Sequence, residues 1–71
     1  MEMELSKEDK RGVLEGEMVD LLKQMYRLSV STEVRRMAGY SEAENAGLIR
    51  ELERLVRLRD ILSGKIDELA P

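Results

Sequence analysis

The feature that most constrains this chain is an apolar repeat that runs from Leu48 to Leu69. Its residues recur at alternating intervals of four and three, and one polar residue, Arg59, interrupts them. This spacing is typical of a helix whose apolar stripe packs along a second helix. The members of the repeat are Leu48, Leu52, Leu55, Arg59, Leu62, Ile66 and Leu69.

The first half of the chain carries a matching repeat. Its members are Leu14, Met18, Leu21, Met25, Leu28 and Thr32. When the two repeats are aligned antiparallel, the numbers of facing residues sum to 80, so the chain reverses at Tyr40. We call these two facing repeats the seam.

Local signals place the turn at the same point. Gly39 suits the left-handed cap that often ends a helix, and Ser41 followed by Glu44 is a capping box that starts one. The sequence therefore predicts an all-α antiparallel helical hairpin. We expect its helices to span about 6–38 and 41–69.

A chain of 71 residues has room for one domain. We expect a flexible N-terminal tail at residues 1–5 and one helical-hairpin domain at 6–71. The segment LSVSTEV at 28–34 is rich in serine and β-branched residues, which lowers helix propensity. An alternative is therefore a three-helix fold. Its helices would span about 6–28, 31–38 and 41–69.

Both helices carry apolar residues beyond the seam. A hairpin covers one stripe on each helix, and soluble monomers rarely leave a long second stripe exposed. We therefore expect a homodimer that completes a four-helix bundle, or another helical protein as partner. The predicted interface residues are Val19, Leu22, Tyr26, Val30, Ile49 and Val56.

The charge distribution bears on how two hairpins would align. Residues 1–20 contain seven acids and three bases, whereas residues 21–40 contain four bases and one acid. Antiparallel association of two hairpins would place the acidic open end of each hairpin over the basic part of the other, which lies nearer the turn. Such exposed pairs set the register more than the affinity.

Composition argues against several functions. The chain has no histidine and no cysteine, so it lacks the commonest general base, thiolates and Glu-x-x-His metal pairs. We expect no catalytic residues, metal, cofactor or small-molecule substrate, and hence no enzyme. No apolar run is long enough to cross a membrane, and the charged N-terminus has no signal-like region. We expect a soluble cytoplasmic protein that acts in protein–protein interactions, as an adaptor, chaperone or regulator.

An arginine stripe supports an alternative function. Arg50, Arg54 and Arg57 share one helical face and are possible contacts for an anion or nucleic acid, as in a small RNA-binding bundle. The chain is nevertheless acidic, with a net charge of −3. Glu53 precedes Arg57 by four residues, a favourable spacing for an ion pair. We therefore expect a solvated, salt-bridged face and do not expect nucleic acid as a partner.

Arg59 is the polar member of the second repeat and faces Leu21. We expect it to fix the register by pairing with Asp20 or with a carboxylate of a dimer partner. Alternatively, its stem packs in the seam while its guanidinium reaches solvent. A ligand site for an anion is the functional alternative.

Gly39 is followed, 13 residues later, by the segment LERLV at 52–56. This spacing resembles the second helix of the small aspartyl-phosphate phosphatases of sporulating bacilli, which carry Ser-x-x-Leu-Asp-x-Leu-Ile after a glycine-containing turn. Here Ile49 stands at the serine position and Glu53 at the aspartate position, and the first-helix pattern has no counterpart. The resemblance covers about 18 residues. It implies that Glu53 would help to remove phosphate from a response regulator.

Overall fold

The computed structural model describes residues 4–70. It contains two helices, α1 (Lys7–Met37) and α2 (Glu42–Glu68), which pack against each other as a hairpin, and these residues contain no strand. The predicted hairpin is confirmed, and each helix end lies within one residue of its predicted position. Most of the expected tail at residues 1–5, and Pro71 at the end of the expected domain, lie outside the described residues.

Helix α1 begins with a side-chain cap. Ser6 has an extended backbone, and its hydroxyl accepts a hydrogen bond from the Asp9 N–H at 3.0 Å. Glu8 and Asp9 lie in the first turn, where the positive end of the helix dipole favours carboxylates.

The turn between the helices is built around Gly39. Its φ of +95° lies in the left-handed region, which side chains with a Cβ rarely adopt. The Gly39 N–H donates to the Arg36 carbonyl at 3.0 Å, and the Tyr40 N–H donates to the Arg35 carbonyl at 2.9 Å. This pair of bonds is a Schellman motif, which satisfies the last carbonyls of α1.

Helix α2 begins with the predicted capping box. The Glu44 N–H donates to the Ser41 hydroxyl at 3.2 Å, and the Ser41 N–H donates to a Glu44 carboxylate oxygen at 2.9 Å. These bonds lower the pKa of Glu44 below its usual range. Arg36 at the end of α1 also bonds Glu42 at the start of α2, with 2.8 Å between Nε and Oε1.

The three-helix alternative is wrong, because α1 continues without a break through Ser29 and Ser31. Within this segment the buried Thr32 donates its hydroxyl to the Leu28 carbonyl at 2.8 Å. Intrinsic propensity differs by only a few tenths of a kcal/mol per residue among such side chains. Packing of one face against a long partner helix outweighs that difference.

The two helices alone bury little apolar surface. Leu21 and Leu55 are the buried large apolar side chains among residues 4–70. The other seam residues, from both helices, are half-buried apart from Thr32, which is buried. The hairpin measures 54 × 25 × 15 Å, and its radius of gyration is 16.5 Å, whereas about 11 Å is typical of a compact domain of this length.

Candidate interaction surface

The most apolar exposed surface lies on α1. We call it the outer stripe: Val19, Leu22, Tyr26, Val30, Val34 and Met37. All six side chains are exposed, and Tyr26 and Met37 show 71% and 81% of their surface to solvent. At 100° per residue, the centre of this stripe lies roughly 140° around the helix from the centre of the seam. The outer stripe therefore faces away from α2.

The predicted interface residues do not form one surface. Val19, Tyr26 and Val30 belong to the outer stripe, whereas Ile49 and Val56 on α2 are half-buried. A shallow groove on one side of the hairpin is lined by residues of both helices. The residues that line it are Ser29, Thr32, Glu33, Arg36, Ile49 and Leu52.

A second groove lies between the helices and contains two apolar residues that the sequence reasoning missed. Leu58 and Ile61 are both exposed and both line this groove. Glu17, Asp20 and Gln24 of α1 lie opposite them. The sequence spacing could have identified them, because Leu58 and Ile61 are three residues apart and therefore lie on the same face of α2.

The predicted arginine stripe is exposed but already partly neutralised. Arg54 donates two hydrogen bonds to Glu51, one of them 3.1 Å from Nε to Oε2. Bonding to Arg54 lowers the pKa of Glu51. Arg50 and Arg57 are exposed and, among residues 4–70, have no ion pair. The expected Glu53–Arg57 pair is therefore wrong; within the arginine stripe, the ion pair that forms uses the shorter spacing from Glu51 to Arg54.

Arg59 does not pair with Asp20, which corrects that part of the sequence prediction. Its guanidinium lies 3.3 Å from Oδ1 of the neighbouring Asp60. The reason is geometric: Asp20 lines the groove that contains Leu58 and Ile61, and Arg59 does not line that groove. Arg59 is half-buried with its guanidinium partly exposed, in agreement with a packed stem and a solvated head.

Asn45 is the most unusual polar residue of the hairpin. Its side chain is fully buried, and within residues 4–70 neither amide atom has a hydrogen-bond partner. It lies three residues before Leu48 and so extends the α2 repeat, at the position that the antiparallel alignment of the sequence places opposite Arg35. Arg35 instead lies over the ring of Tyr40, 5.5 Å from its centroid. A buried amide without a partner costs stability.

No group of three or more His, Cys, Asp or Glu side chains among residues 4–70 is placed to hold a metal ion. Glu53, the residue singled out by the phosphatase resemblance, is exposed and has no ion-pair partner in this range. Over the same range, neither helix combines the length and apolar character needed to cross a membrane.

The fold and its surfaces define a class, the antiparallel helical hairpin in which one helix has an apolar face that the other helix does not cover. The chain matches no protein-family model, and neither the curated proteins nor the solved structures contain a significant match.

Proposed function

We propose that the chain is a protein–protein interaction module, not an enzyme, and that it binds another helix through the outer stripe of α1. The observation that carries this proposal is the exposure of six apolar side chains on the face that α2 does not cover. A stripe of this length along a helix is the recognition element of helix–helix and helix-in-groove complexes.

The surface area of the hairpin supports the same proposal. The chain exposes 5679 Å², whereas a compact folded protein of its mass exposes about 4500 Å². The excess of about 1100 Å² exceeds the roughly 800 Å² that one partner buries in an interface of standard size. A bound helix along α1 would therefore bring the exposed area of the chain most of the way to that of a compact protein of the same mass.

The test compares the wild type with Tyr26→Asp and Arg50→Asp. Tyr26 is 71% exposed, so its substitution leaves the hairpin core intact. The matched control, Arg50→Asp, also places an aspartate at an exposed position, but on α2. We would measure self-association by sedimentation and exposed apolar surface by binding of anilinonaphthalene sulfonate.

The proposal expects the wild type to self-associate or to bind the dye, and it expects Tyr26→Asp to lose that behaviour. Arg50→Asp should behave as the wild type does. A wild type that neither associates nor binds the dye would overturn the proposal. Salt-sensitive binding of RNA that is lost in Arg50→Asp would instead identify a nucleic-acid-binding protein.

A further inference from the structure

The outer face of α1 carries a heptad repeat of its own. Starting at Gly12, its positions recur at alternating intervals of four and three residues to Met37. The members are Gly12, Gly16, Val19, Lys23, Tyr26, Val30, Glu33 and Met37. All are exposed in the hairpin. We propose that a second copy of this chain covers this face, with the two α1 helices antiparallel and in contact. This inference rests on the proposed function and names its partner.

One antiparallel register makes the face complementary to itself. When the numbers of facing residues sum to 49, Val19 meets Val30 of the second copy, and Lys23 meets Tyr26 of the second copy. The second contact brings a cation to an aromatic ring, which is favourable. At the ends, Gly12 meets Met37, so a small residue faces a large one. Each contact occurs twice, because the twofold axis passes between residues 24 and 25.

The residues that flank the repeat support this register independently. The residues beside the repeat form two flanks, one on each side of the interface. In an antiparallel pair of helices, each flank of one helix meets the same flank of the partner helix. One flank brings Asp20 to Arg27 of the second copy and Val13 to Val34. The other flank brings Glu15 to Arg36 and Leu22 to Ser29 of the second copy. No flank contact joins like charges, and two of the four join opposite charges. Of these two, only Asp20 with Arg27 uses residues that form no ion pair within the hairpin among residues 4–70, since Glu15 pairs with Arg11 and Arg36 pairs with Glu42.

A parallel arrangement of the same helices fits worse. It would stack Lys23 on Lys23 of the second copy at the interface centre. It would also place Glu15 beside Asp20 of the second copy, so that two carboxylates meet at each flank. Like charges in contact oppose association. Charge therefore selects the antiparallel arrangement.

The predicted assembly is flat. Because the outer stripe lies roughly 140° from the seam, beyond the ~90° that a square four-helix bundle requires, the helices line up in the order α2–α1–α1–α2. The grooves that contain Ile49 on one side and Ile61 on the other stay open in this assembly.

The test uses disulfide cross-linking, since the chain has no cysteine of its own. Val19→Cys and Val30→Cys are prepared separately; both positions are exposed, so the hairpin tolerates them. In the antiparallel register, position 19 meets position 30 of the second copy at a distance that a disulfide can span. Covalent dimer should therefore form on oxidation of the mixed variants, at least tenfold more than from either variant alone.

The outcomes separate this inference from the proposed function. Covalent dimer from each variant alone would indicate parallel helices and overturn the antiparallel register while leaving the interaction face in place. A wild type that stays monomeric but binds dye through the outer stripe would overturn self-association alone. A dimer that Tyr26→Asp does not weaken would overturn both, because the outer stripe would then not be the surface used.

Discussion

Asp20 and Arg27 lie seven residues apart on one exposed flank of α1, two helical turns or about 10.5 Å along the axis. Within residues 4–70 neither is joined to another side chain by an ion pair. Their numbers place them on either side of the middle of α1. The twofold axis of the proposed dimer, which passes between residues 24 and 25, brings each one to the other on a second copy.

Reversing one of these charges should weaken the dimer, and reversing both should restore it. In Asp20→Arg, two arginines meet at each of two symmetric contacts, and we expect the dissociation constant to rise about tenfold. The double variant Asp20→Arg with Arg27→Asp recreates both ion pairs with exchanged partners. Sedimentation equilibrium at low salt measures all three constants.

Arg50→Asp is the matched control, because it reverses an exposed charge on α2, outside the proposed interface. It should leave the dissociation constant unchanged. If the double variant associates no better than Asp20→Arg alone, these two residues do not meet, and the register is wrong.

Gly39 should not tolerate a side chain. Its φ of +95° is strained for any residue with a Cβ, so we expect Gly39→Ala to lower the free energy of unfolding by about 1–2 kcal/mol. Gly47→Ala is the control in α2, where an added Cβ meets nothing within 4 Å. It should raise stability by up to about 1 kcal/mol. Urea unfolding at one protein concentration measures both, and equal effects would contradict the assignment of the turn.

Replacing Asn45 by leucine should stabilise the hairpin. The buried amide has no hydrogen-bond partner, and an apolar residue of similar size removes that cost, so we expect a gain of about 1–2 kcal/mol. Asn45→Asp should act in the opposite direction, because it buries a carboxylate at the same place. A loss of stability in Asn45→Leu would show that the amide is satisfied after all.

The capping box should contribute to acid sensitivity. Its backbone hydrogen bond from Ser41 lowers the pKa of Glu44. Because the pKa of Glu44 is lower in the folded state than in the unfolded state, the ionised carboxylate stabilises the fold at pH values above the unfolded pKa of about 4.3. That stabilisation is lost as the pH falls through the lower folded value.

Glu44→Gln tests this point, because glutamine keeps the capping bond but does not titrate. Its melting temperature should fall less than that of the wild type between about pH 5 and pH 3. Parallel falls in the two proteins would show that Glu44 contributes nothing to the pH dependence.

The hairpin could be predicted because its signals are local and periodic. The heptad repeats of the seam identify the helix faces that pack together. Gly39 and the capping box of Ser41 and Glu44 locate the turn between the helices. Asn45 could also have been found, since it extends the α2 repeat by one step. Continuity of α1 through Ser29–Ser31 could not be read from propensity, because packing along the whole helix decides it.

The ion pairs and grooves were harder to predict. Sequence spacing places Arg57 within reach of Glu53, but spacing does not fix the side-chain rotamers, and the ion pair of the stripe joins Glu51 to Arg54. Likewise, the sequence places Asp20 near Arg59 along the axis. The sequence does not give the rotation of α1 about its own helix axis. In the structure that rotation places Asp20 on the side of the hairpin that carries Leu58 and Ile61.

The most direct test of the central claim is the mass of the chain in solution. Sedimentation equilibrium from micromolar to millimolar concentration, with circular dichroism on the same samples, compares the wild type with Tyr26→Asp. We expect a wild-type dimer with twice the mass of the chain, and a Tyr26→Asp monomer of equal helix content. A wild type that is monomeric throughout, or a Tyr26→Asp variant that associates as tightly as the wild type, would contradict the pairing of two copies through the outer stripe.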